Sequence, residues 1–161
     1  MVQRGVQYSR AMQKYFKKLG RYPTSLTDLE NTKNLRFLRK RYKDPVTGKD
    51  FRLLHYGEVQ MMSAGTGVQH SEFNPSPGGA VHVLTIGMMP DRQNLTPRYQ
   101  QKEFPLEGKL ARWCLLASPD AAAGSLLIHQ DARVFSSRLD GAATLDYVLT
   151  AGRKAYLHIA R

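Results

Sequence analysis

The stretch Gly57-Glu58-Val59-Gln60-Met61-Met62-Ser63-Ala64-Gly65-Thr66-Gly67-Val68-Gln69-His70-Ser71-Glu72-Phe73-Asn74-Pro75 decides how most of this chain is read. An apolar run with β-branched character ends at Ser63, and two glycines, Gly65 and Gly67, then permit a sharp turn directly before a His-x-Glu pair. If residues 69–73 are extended, the side chains of His70 and Glu72 leave one face of the backbone together. One imidazole nitrogen and one carboxylate oxygen can then share a metal. That donor mix, with positions left open, suits Fe(II), Mn or Ni better than a structural zinc. Spacing alone also fits a surface pair or a hydrogen-bonded histidine, so the pair is a candidate and not an assignment.

Beyond this stretch the pattern stays β-like. Apolar runs at residues 59–62, 81–89, 110–117, 126–130, 133–136, 145–149 and 155–159 read as strands of an antiparallel domain. Asn74-Pro75-Ser76-Pro77-Gly78-Gly79 and Ser118-Pro119-Asp120 punctuate them. The single cysteine, Cys114, lies in Trp113-Cys114-Leu115-Leu116, where a small buried thiol is expected and no internal disulfide can form.

The opening stretch, with His70-Ser71-Glu72-Phe73-Asn74-Pro75, resembles the signature block of the pirins, a bicupin family. The resemblance continues through Met89-Pro90-Asp91, Thr96-Pro97-Arg98-Tyr99, residues 126–132 and Gly152-Arg153-Lys154-Ala155-Tyr156-Leu157, about 105 residues in all. It implies two jelly-roll cupins in tandem, the first holding a metal, usually iron, with three histidines and one glutamate. Some members are quercetin 2,3-dioxygenases and others metal-dependent nuclear cofactors of transcription. By motif position, His70 and Glu72 correspond to the third histidine and the glutamate. The family's upstream His-x-His is not found, His55 stands alone, and His82 matches a neighbouring strand. Thr85 and Gly87 stand where the family usually has Gln and Trp. His129 and His158 fall in the second cupin, which carries no metal in the family, and that cupin reads as cut short at Arg161. Two protein ligands would leave Fe(II) or another divalent transition metal weakly held. Any quercetin 2,3-dioxygenase-like activity is then expected to be absent from the chain as it stands.

Charge separates the first third from the rest. Of 24 Lys and Arg and 13 Asp and Glu, residues 1–56 hold 14 and 4, whereas residues 57–161 hold 10 and 9. Val6, Met12, Tyr15, Phe16 and Leu19, with Arg10, Lys14, Lys17 and Lys18 between them, predict an amphipathic helix over residues 3–19, stopped by Gly20. Thr24 or Ser25 can cap a second helix running through Leu26 and Leu29 towards Leu35 and Leu38. The run Arg36-Phe37-Leu38-Arg39-Lys40-Arg41-Tyr42-Lys43 reads as a solvated basic face; nucleic acid gripped through phosphates and stacked bases is the lesser alternative. Asp44-Pro45-Val46-Thr47-Gly48 signals a turn and residues 51–54 a strand.

Gly20-Arg21-Tyr22-Pro23-Thr24-Ser25-Leu26, then Asp44-Pro45 with Gly48 before Phe51, resembles the major pseudopilins of type II secretion and related pilin-like systems over residues 3–56. That resemblance implies a filament subunit of the inner membrane and periplasm, with other pseudopilin subunits as partners, although the apolar anchor of that family is not in this sequence. A generic basic helical hairpin is the plain alternative. With no run of about 18 apolar residues and no leader pattern, neither a membrane span nor a signal peptide is expected. A cytoplasmic location follows for the pirin-like part.

The expectation is therefore an α+β chain: N-terminal amphipathic helices followed by an incomplete antiparallel β jelly roll and the start of a second. Three segments follow, with a pseudopilin-like piece at 1–56, the second half of a first cupin at 57–117 and the start of another at 118–161. The two resemblances meet within residues 54–60, which reads as the seam of a chimera. The leading function is a pirin-like metal-binding cupin, with a pseudopilin-type structural subunit as the alternative.

Overall fold

A computed structural model describes residues 2–43, 48–55, 57–68, 70, 72, 74, 76 and 79–160, with side chains from residue 7 onward. The expected turn at 44–47, the Val6 side chain, Tyr56, and Gln69, Ser71, Phe73 and Pro75 lie outside the described residues. The chain divides into two units, residues 1–56 with 62–99, and residues 57–61 with 100–161.

In the first unit, helix α1 (Val2–Leu19) buries Tyr8, Ala11, Met12 and Tyr15, which recur at helical spacing along one face. Lys17 and Lys18 occupy its last turn, where positive charge suits the helix dipole. The helix ends as the sequence requires. Gly20 takes a left-handed φ of 71° and its N–H donates to the Phe16 carbonyl at 2.8 Å, a glycine stop that a Cβ would strain.

Helix α2 (Leu26–Glu30) is one short turn fixed by its cap. The Asp28 N–H donates to Ser25 Oγ, and the Ser25 N–H donates to Asp28 Oδ2, both at 3.3 Å. Thr24 adds its N–H and its hydroxyl to the same carboxylate oxygen at 2.8 Å each. The Thr24 hydroxyl leads in holding the Asp28 carboxyl below its ordinary range, with the Thr24 and Ser25 N–H groups adding to it. Because the folded form has the lower pKa, this contribution to stability is complete above the unfolded value and is lost as pH falls through the folded one. Asp28→Ala is therefore expected to cost about 1 kcal/mol near neutrality. The gap between wild type and variant should close below about pH 4, which urea melts at several pH values would measure.

The second helix does not extend to Leu35 and Leu38. Asn31 is extended, and Thr32 and Leu35 exchange backbone hydrogen bonds across Lys33 and Asn34, whose φ of 49° and 61° make a tight turn. The chain doubles back so that the Phe37 and Leu38 N–H groups both donate to the Leu29 carbonyl. Leu29 and Leu38 close the core over α1, joined by Phe37 against Tyr15 and by Tyr42 and Phe51 against Tyr8. Tyr8 Oη donates to the Tyr42 carbonyl at 2.8 Å and accepts the Tyr42 N–H at 2.9 Å. Burial raises the pKa of this phenol, against the opposing effect of the Tyr42 hydrogen bond. Residues 51–54 form no strand; only Lys43 and Asp50 pair as an isolated bridge.

The strands are β1 (Glu58–Ser63), β2 (Arg98–Glu103), β3 (Cys114–Ser118), β4 (Leu126–Leu127) and β5 (Val134–Ser136), all in the second unit except residues 62–63 of β1 and 98–99 of β2, which belong to the first. β1 pairs with β2, and β3 lies between β4 and β5. β3 runs antiparallel to β5 with an irregularity between Leu115 and Ala117, and parallel to β4, so the expectation of purely antiparallel pairing is corrected here. The parallel pair is possible over a short connection because residues 119–125 fold into a compact knot. Ser118 Oγ bonds Asp120 Oδ1 at 2.7 Å and Ser125 Oγ at 2.8 Å and accepts the Ala122 N–H at 3.0 Å. The core of this unit is Phe104, Ala117, Leu126 and Ile128, with Val59, Met61, Leu116 and Val134 against it. Cys114 also packs there, but only half-buried, less than expected.

Three further strand expectations fail. Residues 81–89, 145–149 and 155–159 form no ladder, and most of their large apolar side chains are exposed, Met89 to 82% and Tyr156 to 89%. Conversely β2 reads Arg-Tyr-Gln-Gln-Lys-Glu, too polar to signal a strand. What seats it is the Gln100 side-chain amide, which donates to the Leu127 carbonyl at 3.0 Å and accepts the Leu127 N–H at 3.3 Å, imitating a strand edge. The fold is thus mixed helix and sheet with small sheets, compatible with part of a cupin.

Candidate functional site

The turn before the His-x-Glu pair forms as its glycines suggest. Residues 64–67 close through the Gly67 N–H donating to the Ala64 carbonyl at 2.8 Å, and the Thr66 N–H donates to the Leu95 carbonyl at 3.1 Å. Gly65 has φ of 53°, and a Cβ there would sit 1.9 Å from the Leu95 carbonyl oxygen. Close approach of two backbones, not only a left-handed torsion, therefore dictates glycine. Gly67, at φ of 134°, takes a second conformation that L side chains rarely adopt. Downstream, Asn74 Oδ1 accepts the Ser76 N–H at 2.9 Å, Asn74 Nδ2 donates to the Gly79 carbonyl at 2.8 Å, and Ser76 Oγ accepts the Gly79 N–H at 2.8 Å.

His70 and Glu72 lie between these two fixed turns, both exposed to solvent. They bring a neutral nitrogen donor and an anionic oxygen donor to one short segment. Among the described residues no group of three or more His, Cys, Asp or Glu side chains is placed to hold a metal ion. The described donor set therefore does not fit a closed three- or four-ligand site. His55 precedes the signature block, His82 is exposed on the unladdered segment, His129 is half-buried beside the second unit's core, and His158 is exposed.

Elsewhere, perturbed carboxylates are structural. The Ser118 hydroxyl, followed by the Ala122 N–H, lowers the Asp120 pKa, and Arg153 lowers that of Asp131 through a 2.5 Å contact. Arg41, whose own pKa is raised first by its hydrogen bond to Glu30, joins Glu30 at 2.7 Å and Asp50 at 3.3 Å. These pairs fasten loops and do not converge on a cleft. Trp113, which the β pattern left without a role, packs edge-on against Phe135 and Tyr147 and donates from Nε1 to the Asp146 carbonyl at 2.9 Å. Its signal was present in the sequence as the lone tryptophan at a strand start.

Comparison with known proteins bears on the same segments. The Pirin family model matches residues 39–87, and the model described as the quercetinase C-terminal cupin domain matches residues 115–161. The chain is similar to "Quercetin 2,3-dioxygenase" of Escherichia coli (strain K12), 39% identical over 106 residues, covering 65% of this chain and 44% of that protein. It is also similar to "Pirin-like protein" of Caulobacter vibrioides, 34% identical over 102 residues, covering 63% of this chain and 44% of that protein. The crystal structure of YhhW from Escherichia coli aligns at 39% identity with a TM-score of 0.40, covering 49% of this chain and 32% of that one. The chain spans less than half the length of these curated relatives. The matches support the pirin family. The Pirin match begins at residue 39, inside the stretch that resembles pseudopilins. Neither that resemblance nor a chimeric origin gains support from these relatives. Among the described residues no helix is long and apolar enough to cross a membrane.

Proposed function

We propose that this chain is pirin-type cupin sequence whose His70 and Glu72 supply two ligands to a divalent transition metal, Fe(II) first among them. On this reading the whole protein is a metal-dependent oxygenase of the quercetin 2,3-dioxygenase kind, with quercetin, the compound in the name of its Escherichia coli relative, as substrate. The jelly-roll completion of the two cupins belongs to the same proposal. The observation that carries it is the Gly65 turn, where the Leu95 backbone leaves no room for a Cβ, set shortly before the His-x-Glu pair within a matched Pirin segment.

Two donors on an exposed segment bind a metal weakly, since affinity rises with ligand number and with the partners that orient each ligand. The purified chain is therefore expected to carry iron or nickel well below one equivalent, and to turn over quercetin no faster than buffer containing the same metal. Elemental analysis after gel filtration, on wild type and on His70→Ala and Glu72→Ala, checks this. Metal that falls further in both variants supports the assignment. One tightly held equivalent that survives both substitutions would place the metal elsewhere and overturn it.

A further inference from the structure

Helix α1 has a second face that the pirin reading does not use. Its buried residues, Tyr8, Ala11, Met12 and Tyr15, define the side turned to the core. Arg10, Lys14 and Lys17 are exposed and follow one another at i, i+4 and i+7, with exposed Lys18 beside them. Among the described residues none of these four cations enters an ion pair. Local carboxylates are otherwise engaged: Asp28 in the α2 cap, Glu30 and Asp50 by Arg41. The face is thus a stripe of uncompensated positive charge on a rigid element, in a 56-residue segment with 14 basic and 4 acidic residues.

We propose that this face of α1 binds the phosphate backbone of double-stranded nucleic acid without reading its sequence. Four residues of helix advance about 6 Å, so Lys14 and Lys18 can approach successive phosphates of one strand, and Arg10 and Lys17 extend the contact. The partner is argued from what the face lacks as well as what it has. An amphipathic helix that binds anionic lipid inserts its apolar face, whereas the apolar face here is closed over by Leu29 and Leu38. Binding of single strands uses exposed aromatics as stacking platforms. The aromatics of the basic run do not provide them: Phe37 packs on Tyr15 at 5.0 Å and Tyr42 on Tyr8 at 6.4 Å between ring centroids. Tyr22, just beyond α1, is 40% exposed, but its ring is stacked on Phe16 at 4.6 Å between centroids, so one face is already covered. What is left is a charged edge suited to a duplex backbone.

The test is fluorescence anisotropy of the full chain with two labelled duplexes of about 20 base pairs and unrelated sequence, titrated from about 50 to about 200 mM salt. Equal affinity for both duplexes is expected, with a log–log salt slope of about −4 for four phosphate contacts. Arg10→Gln with Lys14→Gln should weaken binding by about tenfold or more and flatten the slope by about 2, while thermal unfolding is unchanged because both side chains are exposed and neither lies in the last turn of α1. His70→Ala should leave duplex binding intact, so the result is independent of the metal reading. The proposal is overturned by no binding at the lowest salt, by full binding in the double variant, or by co-sedimentation with phosphatidylserine vesicles in the absence of duplex binding.

Discussion

Gly65→Ala is expected to cost about 3 kcal/mol or more, far beyond the roughly 1 kcal/mol of a left-handed alanine alone. The added Cβ would lie 1.9 Å from the Leu95 carbonyl oxygen and 2.8 Å from its carbon, so backbone and not a flexible side chain must give way. The contacts that must yield are the Thr66–Leu95 hydrogen bond and the closure of residues 64–67. Hydrogen exchange at Thr66 and Gly67 reads this directly: both amides should lose protection in the variant. Gly67→Ala, where open space surrounds the added Cβ, should cost only the torsional part. The comparison separates backbone collision from torsion.

The second large effect is in the N-terminal core. Leu29 is fully buried and sits between α1 and the returning strand-like segment that carries Phe37 and Leu38. Leu29→Ala removes its side chain while α1 and the capped turn remain, leaving a cavity that the surroundings fill only partly, at about 3 kcal/mol. The backbone carbonyl of Leu29 still accepts from Phe37 and Leu38, so the loss should register as lowered stability of the whole helical cluster and not as local fraying. Denaturant melts followed by the aromatic signals of Tyr8, Tyr15 and Phe37 would show it as a shifted midpoint. Tyr15 adds a cost already present, since its buried hydroxyl has no hydrogen-bond partner among the described residues.

What the sequence made legible and what it did not follow one physical division. Local signals held: the amphipathic period of α1, the Gly20 stop, the Ser25 cap and the glycine turn at 65 all depend on residues within a few positions of each other. β1 was also legible, as an apolar run. Features that need distant partners were not. Residues 81–89 and 155–159 have strand composition, but composition supplies no neighbour, and without one the backbone groups form no ladder. β2 was invisible for the opposite reason, because a polar sequence is seated by the Gln100 amide against a chain segment 27 residues away. In the basic run at 36–43, read first as a solvated face with base stacking the lesser alternative, Phe37 and Tyr42 are half-buried against the N-terminal core and Arg41 is a staple between Glu30 and Asp50. For the His-x-Glu pair, the sequence offers two candidate donors and a reason for the turn before them; the assembly of further donors is a matter of tertiary placement, which two-residue spacing does not encode.

The most direct test of the central claim is a titration of the isotope-labelled full chain with Mn(II), following amide line broadening by NMR. The pirin-type assignment predicts broadening that starts at residues near His70 and Glu72, saturates only at high metal, and disappears in the double variant His70→Ala with Glu72→Ala. Broadening centred elsewhere, or unchanged in the double variant, would contradict it.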